Sequence, residues 1–185
     1  RLLSEDPSAT ETTEQTVKEI VATEMPVDME HTFCLDISRN ELPKNVAPFA
    51  AHYVAGSLAK ALGNEMLAAN EYGRAVDADN TFFAAYEALA DIYISTSQDS
   101  RLQRVLRRAR VAAPDGFFGP YLQGKAHLAA GLLVEAAEQL AVARERNSTH
   151  LPTLLLLGEA LLRLNRGDQA EAVLRRAVQD HPDSV

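Results

Sequence analysis

Five histidines and one cysteine are the side chains of this sequence best suited to hold a metal or act as a nucleophile, and their spacing serves neither role. A helical zinc site needs two histidines a turn apart, as in HxxxH or HExxH, or a tight Cys/His cluster. His52 and His127 fall inside helical patterns, while His31, His150 and His181 stand apart from one another in extended or turn-like stretches. Cys34 has no helix start or basic neighbour to make it reactive and is expected to be a small buried hydrophobe. No Gly-rich phosphate loop, dinucleotide fingerprint or nucleophile elbow occurs. Asn147-Ser148-Thr149 matches a glycosylation triplet, a pattern common by chance. No catalytic residue, metal or cofactor is therefore expected, and the chain reads as a non-enzyme.

Charge narrows the choice of partner. The 26 acidic and 18 basic residues leave a formal net charge of −8, which argues against nucleic acid, whose phosphates call for a basic surface. Two clusters depart from the average. Ten acidic residues between Glu5 and Glu41 face only Arg1, Lys18, Arg39 and Lys44, which fits either a solvated acidic linker or a segment that docks elsewhere. Arg101, Arg104 and Arg108 form one basic helical stripe, beside Arg107 and Arg110. Such a stripe either receives an acidic surface or is a solvated outer face paired with Glu65, Glu71 and Asp77, and exposed pairs of that kind contribute only about 0–1 kcal/mol.

The elements that would position these residues are helical. Residues 1–48 form an acidic N-terminal extension. It opens with a Ser/Thr-rich tail and continues into a short helix over 13–25, with Val17, Ile20, Val21 and Met25 at helical spacing. Over 31–38, Phe33, Leu35 and Ile37 alternate with polar residues as in an extended stretch, which must lie against helices, pair with another chain or be irregular. The most apolar run, Leu151 to Leu164, is interrupted by Pro152, Gly158, Glu159 and Arg163 and falls short of the roughly 20 residues a membrane span needs. No membrane insertion or signal peptide is expected within this stretch. The visible chain reads as soluble, and the cytoplasm or, in a bacterium, the periplasm would suit it. The sequence begins at Arg1 without methionine, so a processed chain or a piece of a longer protein is expected.

Beyond residue 48 a period dominates. Ala75, Ala109, Ala143 and Ala177 are spaced by 34 residues (109 − 75, 143 − 109, 177 − 143). With that alanine at position 27, four repeats span 49–82, 83–116, 117–150 and 151–184. Position 8 is always small (Gly56, Ala90, Gly124, Gly158) and position 24 always large (Tyr72, Leu106, Leu140, Leu174). Position 20 is Ala68, Leu102, Ala136 and Ala170. Turn residues recur near position 15 (Gly63, Ser97, Gly131, Asn165) and position 32 (Asn80, Pro114, Ser148, Pro182). Each repeat thus predicts helix–turn–helix, with small residues letting two helices approach and the large residue filling the seam. A fifth repeat placed at 15–48 would need small or apolar residues where Cys34, Ser38 and Glu41 stand, and it fails in its second half.

This pattern resembles the tetratricopeptide repeat (TPR) family, with Leu154, Leu157-Gly158, Leu161, Ala170, Leu174, Ala177 and Pro182 its best match. The resemblance implies an all-α, right-handed superhelical solenoid of four 34-residue units behind a short N-terminal extension. It further implies a scaffold or adaptor that grips a partner's peptide or helix in a concave groove lined by the first helices. Carried over by position, the groove residues are Tyr53, Ser57 and Lys60; Glu87, Asp91 and Ile94; Tyr121, Lys125 and Leu128; and Leu155, Glu159, Leu162 and Arg163. Phe118 is expected in the turn before a helix delayed by Pro120. The basic clamp with which some TPR domains hold a chaperone's terminal carboxylate is replaced here by Tyr53, Ser57, Ala88, Phe118 and Leu122, so apolar anchors are expected to matter more. Leu154, Leu157, Leu161 and Leu174 are expected to lack cover after the last repeat, which invites self-association. A homo-oligomerising assembly module, or a docking region of a larger enzyme or secretion machine, are the alternatives.

Overall fold

The computed structural model describes residues 47–182. The helix expected at 13–25, the extended stretch at 31–38, His31 and Cys34 lie outside the described residues. Eight α-helices account for the described chain: α1 (Pro48–Ala61), α2 (Glu65–Ala78), α3 (Phe83–Ser95), α4 (Asp99–Ala112), α5 (Phe118–Ala129), α6 (Leu133–Arg146), α7 (Leu151–Arg163) and α8 (Gly167–Asp180). They form four helical hairpins in the expected register, an all-α helical repeat. The chain divides into two compact units, Arg1–Asp79 and Asn80–Val185. The first holds the α1–α2 hairpin. In the second, α3 packs on α4, α5 on α6 and α7 on α8, and the hairpins are joined by α4 against α5 and α6 against α7.

Every hairpin turns in the same way. Gly63, Ser97, Gly131 and Asn165 all have left-handed backbones, with φ of 77°, 54°, 76° and 58°. Behind each, the next residue's N–H bonds a carbonyl five residues back: Asn64 to Ala59, Gln98 to Tyr93, Leu132 to His127 and Arg166 to Leu161. That closure satisfies carbonyls the helix end would leave orphaned. Glycine reaches the left-handed region freely, whereas the Cβ of Ser97 and the side chain of Asn165 are held there at a cost.

Packing explains the repeating small and large positions. A Cβ placed on Gly56 would stand 2.7 Å from the Tyr72 ring, and one on Gly124 or Gly158 would stand 2.5 Å from Leu140 or Leu174. Glycine at position 8 is thus the space that position 24 occupies. The alanine ladder is sealed: Ala75, Ala109 and Ala143 are 0% exposed and Ala177 is 1%. Two expectations are corrected. The helix of the third repeat begins at Phe118, because Pro120 is its third residue, where the backbone N–H has no intrahelical partner to lose. Leu154, Leu157 and Leu161 are buried, and Leu174 is half-buried over Gly158. They are covered because α7 lies between α6 and α8.

Candidate functional site

In the second compact unit the first helices of successive repeats touch directly, α3 against α5 and α5 against α7. Positions 5 and 9 of each therefore meet across the seam. Glu87 and Asp91, one turn apart on α3, face Tyr121 and Lys125, one turn apart on α5. Lys125 Nζ donates to Glu87 Oε1 at 2.9 Å and lies 2.6 Å from Asp91 Oδ1, and the Tyr121 hydroxyl donates to the same Glu87 oxygen. The exposed remainder of these groups is modest, 22% for the Lys125 side chain, so the bonds work in a partly shielded setting.

The charges answer to that setting. Burial pushes the Glu87 carboxyl up, but the Tyr121 and Lys125 hydrogen bonds and the Lys125 charge outweigh it and hold the group below its usual range. Burial pulls the Lys125 ammonium down, and Asp91 and Glu87 more than reverse this, leaving it raised. Burial first, then the bond to Glu87 and the neighbouring carboxylates, keep the Tyr121 phenol protonated far above its usual range. The cluster is a cross-repeat lock.

An aromatic seam continues it. Phe118 lies 4.7 Å from Phe83, measured between ring centres, and 5.8 Å from Tyr121. Tyr121 meets the His150 ring edge-on at 4.9 Å, and Phe117 lies 4.7 Å from His150. His150 Nδ1 is 2.7 Å from Thr153 Oγ1. His150 is thus not isolated, as its sequence surroundings suggested. Burial lowers its pKa, the Glu87 charge opposes this and His181 adds to it. His181 in turn lies 2.6 Å from the Thr149 carbonyl, and Arg146 donates to the carbonyls of Pro114 and Gly116.

The groove residues divide by exposure. Tyr121 and Leu128, expected as anchors for a partner, are buried in the repeats themselves, because the seams between α3, α5 and α7 close over positions 5 and 12 of the third repeat. Ile94 is half-buried. Leu155 and Leu162 stand out, 49% and 54% exposed, two turns apart on α7. Glu159 and Arg163 lie on the same helix and pair at 3.4 Å. In the first compact unit, the Tyr53 ring packs 5.4 Å from Tyr72, and the Ser57 hydroxyl donates to the Tyr53 carbonyl while accepting from the Tyr72 hydroxyl. Lys60 is exposed.

The basic stripe is exposed throughout, with the Arg101 guanidinium 6.0 Å from the centre of the Tyr93 ring. Glu71, expected among the partners of that stripe, is engaged within its own hairpin by His52 at 2.7 Å and Arg74 at 2.9 Å. Such pairing is what a buried carboxylate requires. No group of three or more His, Cys, Asp or Glu residues among the described residues could hold a metal ion. None of the described helices is long and apolar enough to cross a membrane.

The fold and this seam define an all-α helical repeat protein. Residues 127–185 match the sequence model of the tetratricopeptide repeat family. A thermophilic TPR protein of Thermus thermophilus aligns over 71% of this chain and 73% of its own at 21% identity, with a TM-score of 0.58. PilF of Pseudomonas aeruginosa aligns over 74% of this chain at 16% identity and a TM-score of 0.61, and the chain spans 63% of its length. YrrB, described as a TPR protein with an unusual peptide-binding site, aligns over 96% of this chain and 82% of its own at 17% identity and a TM-score of 0.53. No curated protein sequence is significantly similar to the chain. The described chain has the fold of tetratricopeptide repeat proteins, and its residues 127–185 match that family's sequence model.

Proposed function

We propose that the chain is a scaffold or adaptor that binds a peptide or helix of a partner protein along the first helices of its repeats. The exposed pair Leu155 and Leu162 carries this reading. Two leucines two turns apart on one helix suit an apolar stripe of an incoming segment, and removing half of a leucine from water contributes about 1 kcal/mol. The lock formed by Glu87, Asp91, Tyr121 and Lys125 supports it by fixing the spacing of α3 and α5 before a partner arrives, which lowers the ordering cost of binding. The paired Glu159 and Arg163 share α7 with the stripe, and Lys125 is committed to two carboxylates rather than free to hold a chain-terminal carboxylate. YrrB's peptide site is a parallel on the same fold. The test is crosslinked capture of partners with the chain and with its Leu155→Asp/Leu162→Asp form, whose helicity is checked by circular dichroism. The folded double variant is expected to lose the captured protein; equal capture would overturn the proposal.

A further inference from the structure

On another side of α7 a cleft of about 850 Å³ runs between α6 and α8, floored by Leu154, Leu157 and Leu161. These leucines follow a 3–4 spacing and lie one residue, about 100° of helical rotation, from Leu155 and Leu162. The cleft is therefore distinct from the surface proposed above. Its volume falls within the usual range for ligand sites, roughly 300–1,000 Å³. It is open because its walls carry small side chains. Ala141 and Ala172 line it, whereas the equivalent positions one repeat earlier hold Arg107 and Glu138 (141 − 34 and 172 − 34). Val134 stands half exposed at its edge.

The walls differ in charge. On α6 the lining includes Glu138, Glu145 and Arg144, net acidic; at the N-cap of α8 and on the helix it includes Arg166 and Arg176, net basic. Arg176 is paired with Asp180 at 2.7 Å. Glu138, Glu145 and Arg166 make no side-chain hydrogen bond or ion pair among the described residues and are available to a ligand. All three enclosing elements are helices whose backbone groups bond one another, so an extended peptide laid here would leave its own N–H and C=O groups without partners over an apolar floor. A helix brings its backbone already satisfied.

We propose that the α6–α8 cleft binds an amphipathic helix of a partner protein, one whose leucine-type stripe is flanked by basic residues on one side and acidic residues on the other. The apolar stripe settles against Val134, Ala137, Ala141 and Ala172, above the α7 leucines that α6 and α8 already cover. The basic flank meets Glu138 and Glu145, and the acidic flank meets Arg166. Reversing the helix direction exchanges the flanks, so the opposite signs on the two walls also fix its orientation.

The probe is a synthetic 17-residue helix with leucines at heptad spacing, lysines on one flank and glutamates on the other, its ends blocked. Two companions carry the same leucines with both flanks lysine or both flanks glutamate. Titration by fluorescence anisotropy should show the mixed peptide binding about tenfold more tightly than either companion, since each companion sets like charges against one wall. Ala141→Glu and Ala172→Glu lie on half-exposed or exposed positions and should each abolish binding with the helical melt unchanged. Arg166→Glu should transfer the preference to the all-lysine peptide. Equal affinity for the three peptides, or binding that survives both alanine replacements in folded protein, overturns the proposal. So does a concentration-dependent dimer that Ala141→Glu dissolves, because a second copy would then fill the cleft. Leu155→Asp/Leu162→Asp should leave peptide affinity unchanged, which separates failure here from failure of the first-helix surface.

Discussion

Gly124→Ala isolates the packing rule that sets the repeat. The added Cβ would meet Leu140 Cγ at 2.5 Å, Leu140 Cδ2 at 3.0 Å and the Ala136 carbonyl at 3.2 Å. Leu140 is wholly buried, so it has nowhere to move, and the carbonyl is backbone. Overpacking costs about 1–3 kcal/mol, and two atoms this close place the variant at the top of that range. Replacing a mid-helix glycine by alanine returns roughly 1 kcal/mol of helix propensity. The net expectation is a loss of about 2 kcal/mol, read as a lower urea midpoint at unchanged slope. Gly73→Ala, whose Cβ would meet nothing within 4 Å, should instead stabilise by up to about 1 kcal/mol. Leu140→Ala alone should cost about 2–5 kcal/mol, and with that cavity open Gly124→Ala should become harmless or favourable. The rule is refuted if Gly124→Ala matches the parent, or if its cost is the same with and without Leu140.

Three further outcomes follow from the turns and from the lock. Ser97→Gly should stabilise by about 0.5–1 kcal/mol and Asn165→Gly by less, because asparagine tolerates the left-handed region better, whereas Gly131→Ala should cost roughly 1–2 kcal/mol; thermal melts of the three check the order. His150 has a folded pKa below its ordinary 6.5, so it contributes stability that is complete above that value and lost as pH falls through the lowered one. Glu87, depressed below 4.5, adds a second loss beneath that pH, and urea midpoints from pH 7 to 3 should fall in two stages, the upper one absent in His150→Asn. Lys125→Met leaves the Glu87 and Asp91 carboxylates, one turn apart on α3, without their shared cation and should destabilise by several times the loss in Arg163→Ala, whose exposed pair with Glu159 contributes little; parallel denaturation curves decide it.

The period was legible because it records a constraint met four times. Each left-handed turn at Gly63, Ser97, Gly131 and Asn165, and each close approach of position 8 to position 24, restricts the residue types allowed, so the spacing of 34 appears in the residues themselves. Phe118 is not in the turn, because Pro120 does not delay the helix: in the first turn it removes a donor with no use. The lock was hidden for another reason. Its four residues occupy positions 5 and 9 of adjacent repeats, 34 to 38 residues apart, where no periodic rule selects a partner. A complementary pattern was nonetheless present, with Glu87 and Asp91 in one repeat and Tyr121 and Lys125 at the same positions in the next. Reading such positions across neighbouring repeats, rather than along one helix, would have paired them.

That pairing changes what the variable positions mean. Position 5 faces outward in a lone hairpin, but in the middle of an array it belongs to a seam, and whether it reaches a partner depends on the repeat beside it. Tyr121 and Leu155 occupy the same position in consecutive repeats, yet one is 1% exposed and hydrogen-bonded to Glu87 while the other is 49% exposed. The difference comes from what each faces and from side-chain chemistry: a phenol can bury its ring and satisfy its hydroxyl on a neighbouring carboxylate, whereas Leu155 in the next repeat is only half covered among the described residues. Replacing Glu87 by leucine removes the acceptor and should make the buried phenol costly, so that Tyr121→Phe, damaging in the parent, becomes favourable in the Glu87→Leu background. A double-variant cycle by urea denaturation measures this, with a coupling of about 1–3 kcal/mol expected. Additive losses would show that Tyr121 is held by its ring contacts alone.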